Sequence, residues 1–430
     1  MYRLIIWFLC FGMGIYGAEN DDTIIDIVNG KIRGQVRKSF TGKDFIAYEG
    51  IPYAAPPTGQ RRFKLPKEPN NWTGILDTTD NTQICSQVFQ TNPIAIVGTE
   101  DCLYLNVYTP KNYKQFNQTL SVFVYIHGGA FQYRSKSIWL PDYFIMNDII
   151  LVTINYRLGV LGFLSTEDGV IPGNLGLKDQ RFALRWVSKN VDKFGGSPDK
   201  VTLGGQSAGA ASVSYQLLDP KNEGLFRGVI MMSGSALCHH ELQITPQKVA
   251  YRVGQVINSS FTGKSEELLS ILQETPLEHL LLTANLLEIK YLSDNFYTTP
   301  ILRQAELAMK HVPVYIYQFS DAYNSRFEIQ GEKVTAHTSD LPLIFYNAQN
   351  VTYPEGYLTQ RRFLKLYTNF IKYQDPTPEH DDILIIWPKT TENLDYLNIN
   401  TTLEVLKHPK NFESWKRILN TYMSKPYVVY

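Results

Sequence analysis

The sequence carries no net charge, with 41 lysines and arginines against 41 aspartates and glutamates. No basic stripe or acidic tract stands out, which argues against a nucleic-acid partner and against a strongly charged substrate. Beyond the first seventeen residues nothing is long and apolar enough to cross a bilayer. No internal repeat, low-complexity tract or clear linker interrupts the 430 residues. Cysteines number only four. The aromatic content of 13% suits a deep apolar pocket and equally a large core, so it decides nothing. No metal ligand set and no cofactor motif is expected.

What is present begins at the N-terminus. Arg3, the apolar stretch Leu4 to Tyr16, and the small residues Gly17 and Ala18 have the layout of a secretory signal, expected over residues 1–17. The last residues, Ser424 to Tyr430, do not read as a lipid-anchor tail. A secreted, extracellular chain follows as the expectation, with one domain over 18–430. Cys10 leaves with the signal, Cys85 and Cys102 are close enough to close a small loop, and Cys238 is left over. Five Asn-x-Ser/Thr sequons begin at Asn71, Asn117, Asn258, Asn350 and Asn400, which in a secreted chain predicts some glycosylation.

From about Val122 strand-like runs alternate with helical patterns. Val122–Ile126, Ile149–Ile154, Val201–Leu203, Gly228–Met232 and Val312–Tyr317 read as strands. A helix with Ala183, Val187, Val191 and Phe194 on one face stops at Gly195-Gly196. Such alternation predicts an α/β fold with a mostly parallel central sheet and helices on both faces, its chemistry at the carboxyl ends of the strands.

Val201-Thr202-Leu203 leads into Gly205-Gln206-Ser207-Ala208-Gly209. A strand that ends in Gly-x-Ser-x-Gly and enters a helix lifts the serine into a sparsely populated backbone conformation at the helix N-terminus, beside free N–H groups. Ser207 is therefore the candidate nucleophile. Upstream, His127-Gly128-Gly129-Ala130 ends another strand, where glycines let backbone N–H groups approach a carbonyl oxygen.

With these motifs on the page the chain resembles the type B carboxylesterase/cholinesterase family of the α/β-hydrolase fold, insect esterases in particular. The matching segments are Glu100–Asn106, His127–Phe131, Asn155–Gly159, Gly173–Gln180, the Ser207 turn, Tyr315–Phe319 and Trp387-Pro388. The resemblance implies that Gly128, Gly129 and Ala208 donate N–H groups to the oxyanion. It implies a Cys85–Cys102 disulfide and a buried, architectural ion pair between Glu100 and Arg157. His337, in Ala336-His337-Thr338-Ser339-Asp340-Leu341, looks like the family's catalytic histidine, with Val334 where the family carries glycine. The implied substrate is a small apolar ester.

One member of the triad is not found. The family places a Glu between serine and histidine, yet only 130 positions separate Ser207 from His337. On the order of a hundred residues are expected to be absent near 289–291, including the acid's interior strand. Asn222-Glu223-Gly224 looks like the acid motif but lies too close behind the nucleophile helix; Asp294 is the one candidate substitute. Two readings stay open: a secreted serine carboxylesterase with impaired activity, and a non-catalytic cholinesterase-like ligand-binding or adhesion protein.

Overall fold

The computed structural model describes residues 21–89, 94–238, 245–287, 298–323, 328–329, 332–333, 335–346, 357–379 and 381–407. The expected signal segment 1–17, Asn350, Asp294 and the expected junction near 289–291 lie outside the described residues.

The central sheet has seven strands: β1 Gln35–Lys38, β2 Asp44–Pro52, β3 Tyr104–Pro110, β4 Leu120–Ile126, β5 Ile149–Ile154, β6 Gly196–Gln206 and β7 Gly228–Met232. Their spatial order is β7-β6-β4-β5-β3-β2-β1. Parallel pairing is confined to β7-β6-β4-β5. The other three pairings are antiparallel, so the sheet is mixed, with the parallel character in the half that carries the motifs. A second, three-stranded sheet holds β8 Ile316–Phe319 parallel to β9 Tyr396–Ile399, with β10 Leu403–Leu406 antiparallel at its side. β8 begins later than the sequence suggests: ladder pairing starts at Ile316, and the Val314 carbonyl accepts from the Thr390 N–H at 2.7 Å outside the ladder. Among the described residues β7 pairs only with β6 and β8 only with β9.

Alternation along β4 shows why the sheet is covered twice. Val122, Val124 and Ile126 belong to one buried cluster, with Ala183, Leu184 and Val187 of α1 (Leu175–Asn190) and Ala208 and Ala211 of α2 (Ala208–Leu218). Phe123 and Tyr125 point the other way, into a second cluster with Phe363, Leu366, Tyr367 and Ile371 of α3 (Leu358–Tyr373). Side chains of period two on a strand give each face its own apolar layer. α1 stops in a short 3₁₀ turn, Val191–Phe194, closed by Gly195 at φ +86°. Helices on both faces thus follow from the sequence pattern.

The implied disulfide is present between Cys85 and Cys102, both buried. Cys238 lies outside it, also buried. Of the sequons, Asn71 and Asn117 are exposed, while Asn258 and Asn400 are half-buried.

The implied Glu100–Arg157 ion pair is not formed. Glu100 is gripped by Arg62 through Nε at 2.7 Å and Nη2 at 2.5 Å, and Arg62 also donates to the carbonyls of Leu272 and Thr275. Arg157 instead forks onto Asp179 of α1, with Nε at 2.8 Å and Nη2 at 2.7 Å. The physical reason is donor geometry. Asp179 also accepts from the Arg157 backbone N–H, so one carboxylate satisfies three donors in a dry site.

Candidate active site

The carboxyl ends of three parallel strands meet at one place. Gly205 of β6 pairs with Ile126 of β4 and with Met231 of β7. Just beyond this register, Ser207 has φ +59° and ψ −127° and caps α2. That conformation costs a non-glycine residue about 1–3 kcal/mol and persists only where the surroundings over-determine it. Its N–H donates to the Met232 carbonyl at 2.8 Å, and its carbonyl accepts from Ala211 at 3.0 Å. Gly209 is required because a Cβ there would stand 2.2 Å from the Ile126 carbonyl. The Ser207 hydroxyl is half-buried and makes no hydrogen bond among the described residues.

The His127–Ala130 segment packs directly on this elbow. A Cβ on Gly128 would lie 2.3 Å from the Gln206 carbonyl and 3.1 Å from the Ser207 Cβ. The backbone then turns left-handed at Gly129, Ala130 and Phe131, with φ of +105°, +51° and +57°. Among the described residues the N–H groups of Gly128 and Gly129 have no acceptor. Ala208, as first residue of α2, carries one of that helix's orphan N–H groups.

His127 is part of the scaffold. It is buried, stacked on Tyr156 with ring centroids 4.5 Å apart, and its pKa is pushed down to about 4 by burial. Nδ1 lies 2.8 Å from the Gly128 carbonyl, which only accepts, so Nδ1 carries the proton. The Tyr156 hydroxyl donates to the His127 carbonyl at 2.8 Å. The sequence offered His127 as part of a turn motif and gave no sign that its ring props the loop from inside.

His337 comes to the same place from the far side. It is exposed, in a turn closed by Ser339 N–H to the Ala336 carbonyl at 3.1 Å. Asp340 ties that turn to β8, accepting from the Tyr317 hydroxyl at 2.8 Å, and burial raises its pKa. The ring meets Gln206, the residue before the serine, with Nε2 3.0 Å from the Gln206 Nε2. The sequence reading brought out Ser207 and His337 and missed Gln206 as their link. The motif pattern treats that position as variable, so no signal marks it.

Glu223 is exposed beyond the last turn of α2, at the opposite end of that helix from Ser207, in keeping with its rejection as the acid. No cluster of three or more His, Cys, Asp or Glu suited to a metal occurs among the described residues. No helix among them is long and apolar enough to cross a membrane.

The loop that continues from the His127–Phe131 glycine segment contains a buried charge. Lys136 is 2% exposed, and its Nζ donates to Asn81 Oδ1 at 2.9 Å, an oxygen that also takes Asn106 Nδ2 and Ser137 Oγ. Burial outweighs the pull of Glu49 and Asp80 and lowers its pKa from 10.5 to about 8. The folded chain therefore releases this proton earlier than the unfolded chain. Protonated Lys136 costs stability below pH 8, and the cost is relieved as pH rises through 8 toward 10.5. Urea unfolding is expected to show stability growing from pH 8 to about 10, by on the order of 3 kcal/mol at most, with Lys136→Met removing the rise.

The Carboxylesterase family model matches residues 21–290 and 284–415 of this chain. Esterase FE4 of Myzus persicae is 39% identical over 278 residues, 64% of this chain and 49% of the relative. Venom carboxylesterase-6 of Apis mellifera is 40% identical over 283 residues, 64% and 50% of the two chains. Juvenile hormone esterase of Tribolium castaneum is 47% identical over 212 residues, 48% and 36%. The chain spans about half the length of the curated relatives it matches. The serine elbow, the glycine loop packed against it and the match over nearly all the residues from 21 to 415 together place the chain in the carboxylesterase family.

Proposed function

We propose that this chain is a secreted carboxylic ester hydrolase working through an acyl-enzyme on Ser207. The observation that carries the reading is the Ser207 elbow, strained at φ +59° and covered by the Gly128 backbone. Ser207 Oγ bonds to the ester carbonyl carbon while His337 Nε2 takes its proton. The N–H groups of Gly128, Gly129 and Ala208 stabilise the oxyanion. The C–O bond to the alcohol then breaks, and the leaving oxygen takes the proton from His337. Water repeats the sequence on the acyl-enzyme and releases the acid. A chain with no net charge suits a small neutral ester.

A carboxylate triad member between Ser207 and His337 is not assigned. The two matched family segments meet at 284–290, which supports a shortened stretch there. In serine proteases, loss of the acid's function lowers kcat about 10⁴-fold while oxyanion stabilisation and binding preserve some catalysis. Turnover by this chain is accordingly expected to be slow. The same junction favours the second reading, a non-catalytic ligand-binding or adhesion protein on this fold.

A fluorophosphonate separates the two. Covalent mass added to the peptide containing Ser207, with loss of aryl-ester turnover in step, is the result expected of the esterase. An unlabelled Ser207 in a folded chain that still binds apolar esters overturns it.

A further inference from the structure

Gln206 has no exposed surface, yet it is the polar side chain on which His337 rests. Its Oε1 accepts from Arg134 Nη1 at 3.4 Å, and its Nε2 lies 3.0 Å from His337 Nε2. A guanidinium has donors only, so the amide oxygen faces Arg134 and the amide nitrogen faces the imidazole. An amide nitrogen also only donates. His337 Nε2 is therefore the unprotonated nitrogen, and the neutral ring holds its proton on Nδ1.

Arg134 is itself fixed. Its backbone N–H donates to Gln87 Oε1 at 2.7 Å, and its carbonyl accepts from Gln87 Nε2 at 3.1 Å. Gln87 Nε2 donates as well to the carbonyl of Cys85, at the disulfide. A chain of contacts thus runs from the disulfide loop through Gln87 and Arg134 to Gln206 and His337. Choosing the tautomer is the task a triad carboxylate performs from the Nδ1 side in a serine hydrolase.

We infer that Gln206, oriented by Arg134, is a positioning residue that holds His337 in the Nδ1–H tautomer from the Nε2 side, and that Ser207 takes over that Nε2 contact when it is deprotonated. The inference rests on the reading of His337 as the base. It adds a resting state in which the base is correctly protonated but engaged by the amide.

The test uses the full chain with ¹⁵N-labelled histidine, His337→Asn identifying the ring signal. The wild-type ring is expected to carry its neutral-state proton on Nδ1. In Gln206→Glu the new carboxylate only accepts, so Nε2 becomes protonated. Of the described charged and titratable groups on the elements that meet here, Arg134 contacts Gln206 and partly neutralises the new carboxylate, Asp340 of the His337 turn is engaged by Tyr317, and His127 of the glycine loop is neutral and buried. The titration midpoint of His337 and the acid limb of Ser207 labelling are expected to rise together by about one pH unit or more. Gln206→Met, which keeps the shape and loses the amide, is expected to let the Nε2–H tautomer appear.

A wild-type ring with its proton on Nε2, or a midpoint and labelling profile unmoved in Gln206→Glu, overturns the inference while leaving Ser207 and His337 in their roles. Labelling of Ser207 in His337→Asn at the wild-type rate removes the base assignment and the positioning role with it.

Discussion

Ser207→Ala is expected to abolish fluorophosphonate labelling and to remove the turnover that depends on the acyl-enzyme. In a complete serine triad the loss of the nucleophile costs about 2 × 10⁶ in kcat, with a residual rate of 10³–10⁴ over water from oxyanion stabilisation and binding. This chain starts lower if the triad acid is missing, so the measurable drop is set by how far the wild type stands above that residual. The protein itself is expected to remain folded. The Ser207 hydroxyl makes no hydrogen bond among the described residues, and the backbone bonds to Met232 and Ala211 do not need a side-chain oxygen. Alanine at φ +59° bears much the same strain as serine. A single-turnover assay with an aryl ester, beside a urea titration of each protein, reads both quantities. Equal turnover in the two proteins would place the chemistry elsewhere.

Asp179→Ala is expected to cost about 3–5 kcal/mol of stability, because it leaves the Arg157 guanidinium buried with no counter-charge. That is a large share of the roughly 5–15 kcal/mol by which a folded domain is stable. The pair is almost fully enclosed, at 4% and 0% side-chain exposure, and solvent cannot take over the lost contacts. The effect reaches the site along the chain. Arg157 follows Tyr156, whose ring stacks on His127 and whose hydroxyl holds the His127 carbonyl at the start of the glycine loop. Slower labelling of Ser207 is therefore expected even at temperatures where Asp179→Ala stays folded. The Glu100→Gln change provides the contrast, since it acts on Arg62 and the Leu272–Thr275 carbonyls and leaves Arg157 paired. An unfolding free energy from urea titration for Asp179→Ala within about 1 kcal/mol of wild type would refute the assignment of this pair as the buried ionic anchor.

Much of the site was legible before any coordinates. Gly205 to Gly209 is contiguous, and its meaning is local. A strand that ends beside a helix start, with small residues where backbones touch, admits few conformations. The same holds for Gly128, whose lack of a side chain is needed at 2.3 Å from a carbonyl. Strand β4 was legible because Val122, Phe123, Val124 and Tyr125 are apolar on both faces, the pattern of a strand covered twice. The start of β8 was not, since Val312 and Val314 look like strand residues and only the ladder shows that pairing begins at Ile316.

Partner choice was the part that sequence did not yield. Glu100 and Arg157 were matched by resemblance, and the fold gave each a different partner, Arg62 and Asp179, which lie far from them in sequence. Gln206 read as a variable position, and its role became visible only when Arg134 and His337 closed on it from two separate loops. The sequence by itself determined the elbow, the glycine loop and the two-faced sheet, because those depend on backbone sterics and on side-chain period over a few adjacent residues. Only the tertiary structure decided which charges neutralise one another and which way the His337 ring faces. Those choices depend on distances of about 3 Å between groups that are tens of residues apart, and each is settled by which donors and acceptors remain unsatisfied once the chain has packed.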